Sequence, residues 1–312
     1  SQMSLSTEWA SDMRFISNIS LLLLFALSSI LLADVTLATV TLPPFLSYSG
    51  TLAPGQDEHG GIPMGVSNAK CDDGKTNLTI DWDGSHDAFA CTTERWNSNK
   101  ASKVTSSIDE HCSTKTDNPI HVCMNRAIVY HDVIPTSGAH RPLWAKYGEY
   151  RYLPKQRWLH NLEHGAAVFL YHPCADMSEV TRFRRIARGC LRKHIITPYK
   201  ELTKERPFAV LTYGCKLELP YIVSNRIRDF LREHAGKAPE RRVAEDGQFS
   251  VQQIHRAKTI SNANDCMICP ADPFEGCPGH HTHAGRARQA INKAHHRPKN
   301  DKPRKRQGKI HD

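Results

Sequence analysis

Apolar residues are concentrated in two parts of the chain, an N-terminal run and a stretch between about Ile128 and Leu231, and both flanks of the second stretch are polar. In a chain of 312 residues, of which 39% are hydrophobic, this pattern predicts one domain with loosely structured extensions. The predicted segments are an upstream extension with a signal peptide, a polar cysteine-containing region, the central domain, and a basic tail with cysteines and histidines: residues 1–38, 39–119, 120–240 and 241–312.

Two short apolar runs in the central stretch, Ala166–Tyr171 and Phe208–Tyr213, predict buried strands. Apolar residues at helical spacing follow each run and predict helices over Asp176–Leu191 and Tyr221–His234, with Asp176 as the N-cap of the first. This order predicts an α/β fold class, a small β-α-β-α domain with a mainly buried sheet. The order also predicts that the two strands form a parallel pair joined by a right-handed crossover.

The predicted parallel pair places Cys174 and Cys215 after matching ends of neighbouring strands, which makes them candidates for a disulfide with each other. A bond between Cys174 and Cys190 is less compatible with the pattern, because a helix of roughly 14 residues between them spans about 21 Å. Upstream, Cys71 and Cys91 bracket a polar segment that a local disulfide could close.

The N-terminal apolar run, Phe15–Ala33, follows a short positive start at Met13-Arg14. Small residues after the run give the pattern of a signal peptide with a cleavage site after Ala38. The alternative is an uncleaved signal anchor, because the run is nearly long enough to cross a bilayer. Arg14 gives the same orientation in either case, and an uncleaved leader would be the chain's contact with a membrane.

All ten cysteines lie after this leader, and an even number of cysteines behind a secretory signal favours disulfides over free thiols. Asn77-Leu78-Thr79 forms an N-glycosylation acceptor in a polar stretch. Together these signals predict a secreted or lumenal glycoprotein with Asn77 as its glycosylation site.

The formal net charge is +9, and the C-terminal tail contains the basic run Lys302–Arg306. In a cytosolic protein such a run would indicate a nuclear localisation signal or a nucleic-acid contact. A signal peptide makes both interpretations less favourable, because it directs the chain away from the cytosol. The tail is predicted to be solvated and disordered, with a protein or an anionic polysaccharide as its possible partner.

The densest group of chemically active side chains includes His140, His160 and His164. The spacing of four between the last two places them on one face of either a helix or a strand, because both periods return at that distance. Two imidazoles so placed could ligate one metal ion, with His140 or Glu163 as a third ligand. The sequence therefore predicts a metal site at His140, His160 and His164, with zinc or copper as the candidate metal.

His160-x-x-Glu163-His164 also matches the inverzincin pattern, in which two histidines bind zinc and the glutamate activates water. This alternative is a zinc-dependent hydrolase with Glu163 as its catalytic residue. Against it, Gly165 and a strand-like run follow at once, and no downstream glutamate stands out as a further ligand. A purely structural alternative is that these side chains satisfy backbone groups and pack the domain edge. We therefore expect a non-catalytic binding or interaction protein rather than an enzyme.

A second group of metal-ligand types lies near the C-terminus, comprising Cys266, Cys269, Cys277 and His280-His281-Thr282-His283. Its chemistry suits zinc or copper. In an oxidising compartment, however, a bond from Cys266 or Cys269 to Cys277 or to a distant cysteine is favoured over metal binding.

Five blocks of the central stretch carry a family resemblance: Tyr130-x4-Pro135-Thr136-Ser137-Gly138-x-His140-Arg141-Pro142, Trp158–Gly165, Tyr171-His172-Pro173-Cys174, Arg206-Pro207 leading to Leu211–Gly214, and Ala238-Pro239-Glu240. They resemble the family called domain of unknown function 3105, over about Cys123 to Glu240. The family has no established activity, so the resemblance implies the limits of the domain more than a function. Its animal members imply a growth-regulatory role.

Overall fold

A computed structural model of the chain describes residues 59–97, 107–271 and 277. The predicted signal peptide, the basic run Lys302–Arg306 and the histidines at 280–283 lie outside the described residues. Within the described part of the chain, no helix has the length and apolar character needed to cross a membrane.

The described residues form a mixed α/β fold in which one seven-stranded sheet carries three α-helices. In chain order the strands and helices are β1 (Asp109–Cys112), β2 (Gly148–Tyr150), α1 (Lys155–Glu163), β3 (Ala167–Tyr171), α2 (Met177–Cys190), β4 (His194–Pro198), β5 (Phe208–Thr212), β6 (Cys215–Leu219), α3 (Ser224–His234) and β7 (Gln253–Arg256). The strand order across the sheet is β1-β6-β5-β3-β4-β2-β7. The predicted α/β class is confirmed.

The predicted parallel pairing of the two apolar runs is wrong, because β3 and β5 are antiparallel neighbours. The parallel partner of β3 is β4, which α2 connects to it. Only Ile195 and Ile196 mark β4 as apolar, and the strand ends at a proline, so its pattern is too short to stand out in the sequence. The extra strand reverses the direction of β5 relative to the prediction.

Both faces of the sheet are buried, which explains why β3 is a continuous apolar run rather than an alternating one. Ala167 and Phe169 pack in a core layer with α2 and α3. Val168 and Leu170 point to the opposite layer, which contains the α1 residue Trp158. The sheet therefore lies between a layer of two helices and a layer formed by α1 and the loops around it.

The predicted helices are present as α2 and α3, with the second beginning three residues later than its pattern suggested. Asp176 is the N-cap of α2, and its carboxylate accepts the backbone N–H of Ser178 at 2.8 Å. The Glu179 carboxylate accepts from Arg182 and from the backbone N–H of Ile222, each at 2.7 Å, which ties the start of α2 to the segment before α3.

Five disulfides link all ten cysteines: Cys71–Cys123, Cys91–Cys174, Cys112–Cys215, Cys190–Cys269 and Cys266–Cys277. Cys174 and Cys215 are both bonded, but the predicted bond between them is wrong, because the antiparallel β5 carries Cys215 to the opposite end of the sheet from Cys174. The local Cys71–Cys91 bond is replaced by two long-range bonds. This number of disulfides indicates an extracellular or secretory-pathway protein.

Candidate metal centre

The helix α1 carries the His160-x-x-Glu163-His164 pattern on its last turn. Trp158 and Leu162 anchor α1 to the core, and His164 caps its C-terminus. Gly165 has φ of 80°, the left-handed conformation that commonly ends a helix and that glycine adopts without strain. The expectation that Gly165 and the following strand argue against a helical site is therefore wrong, because the helix ends directly at the pattern.

Three histidines from separate segments converge above this last turn. His121 and His140 form an isolated parallel β-bridge, and His160 lies on α1 beside them. One ring nitrogen from each of the three lies within 4.8 Å of the others. The ring centroids of His140 and His160 are 4.4 Å apart, and all three side chains are buried. The structure thus assembles three imidazoles at one point inside the protein.

Backbone carbonyls fix the orientation of these rings. The Nδ1 atoms of His121, His140 and His160 lie 2.6, 2.8 and 2.6 Å from the carbonyls of Ile62, Gly138 and Arg141. A carbonyl only accepts, so each Nδ1 must carry the proton and each Nε2 of a neutral ring presents a lone pair. Among the described residues, none of the three Nε2 atoms has a hydrogen-bond partner. This is the arrangement of metal-ligating histidines, whose second nitrogen is usually held by such a partner.

The carboxylate of Glu163 lies beside these rings and is 1% exposed. One of its oxygens is 3.2 Å from Nε2 of His140, and the other is 3.5 Å from Nε2 of His59. Neither oxygen makes a contact with hydrogen-bond geometry to any residue that the structure describes. Burial raises the pKa of Glu163, and His140 and His59 lower it to about 2 only where their Nε2 atoms carry a proton toward the carboxylate. The pocket therefore contains a buried carboxylate that faces imidazole nitrogens.

Burial also disfavours the charged form of the histidines. It lowers the pKa of His121 to about 4, with the nearby His140 ring acting in the same direction. Burial and the neighbouring histidines lower the pKa of His160 well below its usual range. The pKa of His164 is lowered by burial as well, although the adjacent Glu240 opposes this. At neutral pH these rings are neutral ligands rather than cations.

Glu240 and His164 extend the cluster. Nε2 of His164 is 2.9 Å from one oxygen of Glu240, and Nε2 of His59 is 3.6 Å from the other. Ligand atoms of His160, His164 and Glu240 lie within 4.8 Å of one another, as do those of His59, Glu163 and Glu240. The candidate centre therefore comprises five histidines and two glutamates in three overlapping groups.

The chain holds these outer residues in place through the backbone. The Glu240 N–H donates to the Glu163 carbonyl at 3.1 Å, which fixes Glu240 against the end of α1. The His121 N–H donates to the His59 carbonyl at 3.1 Å, and the two rings stack with centroids 4.6 Å apart. Trp144 packs against His160 and His164, with ring centroids 5.1 and 4.4 Å away.

Residues 59–97, which we call the N-terminal arm, cover this part of the domain. Two buried ion pairs join the arm to the domain, one between Arg141 and Asp81 and the other between Arg157 and Asp72. The disulfide Cys71–Cys123 adds a covalent link. These contacts place His59 at the centre although it precedes the predicted domain by about sixty residues.

The structure brings the three predicted metal ligands into this cluster but divides them between two groups. His140 and His160 join His121, whereas His164 joins His160 and Glu240. Glu163, the alternative catalytic residue, lies between the groups. Sequence reasoning missed three residues, namely His59, His121 and Glu240. Glu240 closes the last family-like block, which is a signal that could have found it.

Other groups of ligand type among the described residues are less suited to a metal. Cys112, Cys215 and His234 are close together, but the two sulfurs are bonded to each other. Cys266 and Cys269 are likewise in disulfides, as the oxidising compartment favours. The predicted glycosylation site, Asn77, is exposed at the start of a short 3₁₀ helix.

Residues 121–247 match the family described as protein of unknown function (DUF3105). The match supports the family assignment for this segment, and it includes every residue of the candidate centre except His59. Searches of curated proteins and of solved structures found no match.

Proposed function

We propose that the protein is a metal-binding protein of the secretory pathway or extracellular space, which holds a divalent transition metal ion between Nε2 of His121, His140 and His160. The observation that carries this proposal is the convergence of three buried imidazoles, each with Nδ1 held by a backbone carbonyl and Nε2 without a hydrogen-bond partner in the described part of the chain. Glu163 supplies a carboxylate oxygen next to His140 as a fourth ligand.

Packing alone accounts poorly for this arrangement. A buried polar atom without a partner costs about 1–3 kcal/mol, and here three ring nitrogens and two carboxylate oxygens share one pocket. Protonation of the rings would supply donors, but burial lowers the pKa of His121 and His160. A cation at the meeting point would satisfy the lone pairs and the carboxylate together.

The ligand set narrows the choice of metal. Nitrogen and oxygen ligands suit Zn²⁺ and Cu²⁺, whereas Cu⁺ prefers the thiolate and thioether ligands that this cluster lacks among the described residues. Three histidines and one carboxylate also match the four ligands of tetrahedral zinc. Zinc and Cu²⁺ are therefore the metals to test first.

The direct test measures the metal content of the purified, disulfide-bonded full chain. We expect bound zinc or copper in the wild type and loss of the ion held by the three histidines in His121→Gln and His160→Gln. His255→Gln is the matched control, because His255 is exposed and belongs to none of the groups of ligand type. Circular dichroism confirms that each variant is folded. A folded wild-type chain that takes up neither metal would refute the proposal.

A metal-dependent hydrolase is the second candidate function. It is favoured by one observation, that Glu240 joins His160 and His164 as the downstream carboxylate the sequence pattern lacked. Glu163 would then be the base that activates water. Binding remains the better-supported function, because a substrate would have little access to the cluster. Glu240 has the most exposed side chain among the ion pairs of the cluster, and it is only 18% exposed. Hydrolysis of a substrate panel that is lost in Glu163→Gln while metal is retained would establish catalysis.

Entry into the secretory pathway is proposed to follow cleavage after Ala38, with a glycan on Asn77. The five disulfides and the exposure of Asn77 support this. N-terminal sequencing of the secreted chain and the mass change on Asn77→Gln test both points. An N-terminus upstream of Phe15 on a membrane-bound product would contradict the cleavage.

A growth-regulatory role is a further proposal and rests on the resemblance of the family-like blocks to animal p53-inducible protein 13. Cell proliferation in the presence of the secreted wild type, compared with His160→Gln, tests it. Equal growth with wild type, variant and buffer would contradict it.

A further inference from the structure

We infer that the centre holds two metal ions bridged by Glu163, an inner ion at His121, His140 and His160 and an outer ion at His59 and Glu240. This inference rests on the proposed metal-binding function and goes beyond it in stoichiometry and ligand set.

The bridging role follows from where the two oxygens of Glu163 point. Oε2 lies 3.2 Å from Nε2 of His140, and Oε1 lies 3.5 Å from Nε2 of His59. Two ligands of one tetrahedral zinc ion, each about 2.0–2.1 Å from the metal, are about 3.3–3.4 Å apart. Both contacts therefore have the spacing of ligand pairs around an ion. Because each oxygen pairs with a different histidine, the carboxylate connects two such ions rather than chelating one.

Glu240 provides the other carboxylate of the outer site. Its Oε1 is 3.6 Å from Nε2 of His59, again close to the ligand-to-ligand spacing around one ion. Its Oε2 is 2.9 Å from Nε2 of His164, so that histidine orients the carboxylate from the far side. His59, Glu163 and Glu240 thus form an outer group whose ligand atoms all lie within 4.8 Å of one another.

The number of ligands also exceeds what one ion can use. A four-coordinate ion at the three inner histidines and Glu163 leaves three residues of ligand type unused. Of these, His59 and Glu240 form one group with Glu163, and His164 and Glu240 form another with His160. Backbone hydrogen bonds between His121 and His59 and between Glu240 and Glu163 fix the positions of His59 and Glu240. A second ion gives these constrained side chains a common function.

The two sites differ in their access to solvent. The inner histidines are 3% exposed or less, whereas the side chains of His59 and Glu240 are 11% and 18% exposed. The outer ion therefore lies nearest the solvent and should exchange first.

The test titrates the metal-free full chain with Zn²⁺ and follows removal of the bound metal by a chelator. We expect two equivalents in the wild type and two kinetic phases of release. His59→Gln and, independently, Glu240→Gln should each keep one equivalent and lose the faster phase, while His255→Gln keeps both.

Spectroscopy adds a readout that a merely structural change would not produce. Loading with Cu²⁺ should give a magnetically coupled pair in the wild type and an isolated Cu²⁺ signal in His59→Gln. One equivalent in the wild type would overturn the two-ion inference while the proposed function stands. No uptake by the folded wild type would overturn both.

Discussion

Replacing Arg157 by leucine should destabilise the protein strongly, because it leaves the buried carboxylate of Asp72 without its ion-pair partner. The Arg157 guanidinium contacts both oxygens of Asp72, at 2.5 and 3.0 Å, and donates to the Leu143 carbonyl at 2.9 Å. Both side chains of the pair are at most 1% exposed. After the substitution the Asp72 carboxylate keeps, among the described residues, only the backbone N–H groups of Gly74 and Leu143 as partners.

The expected loss is about 3–5 kcal/mol, the usual cost of removing one partner from a buried ion pair. For a domain of this size that corresponds to a fall in melting temperature of about 6–20 °C. The assay is urea unfolding of the disulfide-intact chain at fixed metal concentration. Adding Asp72→Asn to Arg157→Leu should recover part of the loss, since it removes the stranded charge.

The matched control is Arg226→Leu, which breaks an ion pair with Glu110 in which the arginine side chain is 49% exposed. Exposed pairs contribute about 0–1 kcal/mol, so this variant should be nearly neutral. If Arg157→Leu also cost less than 1 kcal/mol, the N-terminal arm would not be packed against the domain as described. The position of His59 in the centre would then lose its support.

Three further predictions concern stability. His194→Gln should reduce the acid sensitivity of the protein: burial lowers the pKa of His194 to about 4, so the unfolded chain binds a proton below pH 6.5 that the folded chain does not. Wild-type stability should therefore fall between pH 6.5 and 4 by about 3 kcal/mol more than that of the variant, and equal slopes in urea unfolding would refute this. Gly165→Ala should cost about 1–3 kcal/mol, because φ is 80° and the new Cβ would lie 3.1 Å from Cα of Gly236; an unchanged melting temperature would contradict it. Removing metal with a chelator should lower stability by about 4 kcal/mol if the free metal had been at 1,000 times its dissociation constant, and calorimetry with and without metal measures this.

The fold could be predicted where the sequence pattern is local. The run that became β3 and the apolar spacing of α2 are visible because each depends on neighbours within a few residues. The topology could not be predicted, because the short strand β4 has too few apolar residues to be recognised and its insertion reverses β5. The predicted disulfide was wrong for the same reason, since a bond between Cys174 and Cys215 assumed that β3 and β5 run parallel.

The candidate site was predictable in its central part. His160 and His164 are found by their spacing on one helix turn, and His140 by its nearness in the sequence. His121 joins them through a single β-bridge, and His59 through the packing of the arm, so neither has a periodic signal. Such residues become neighbours only when long-range contacts form, which spacing along the chain does not report.

X-ray absorption at the zinc edge of the loaded full chain tests the central claim most directly. A first shell of nitrogen and oxygen at about 2.0–2.1 Å, with the outer-shell scattering typical of several imidazoles, is the result we expect. This pattern should disappear in His160→Gln and persist in His255→Gln. A shell with sulfur ligands, or one of oxygen alone without imidazole scattering, would contradict a buried histidine centre.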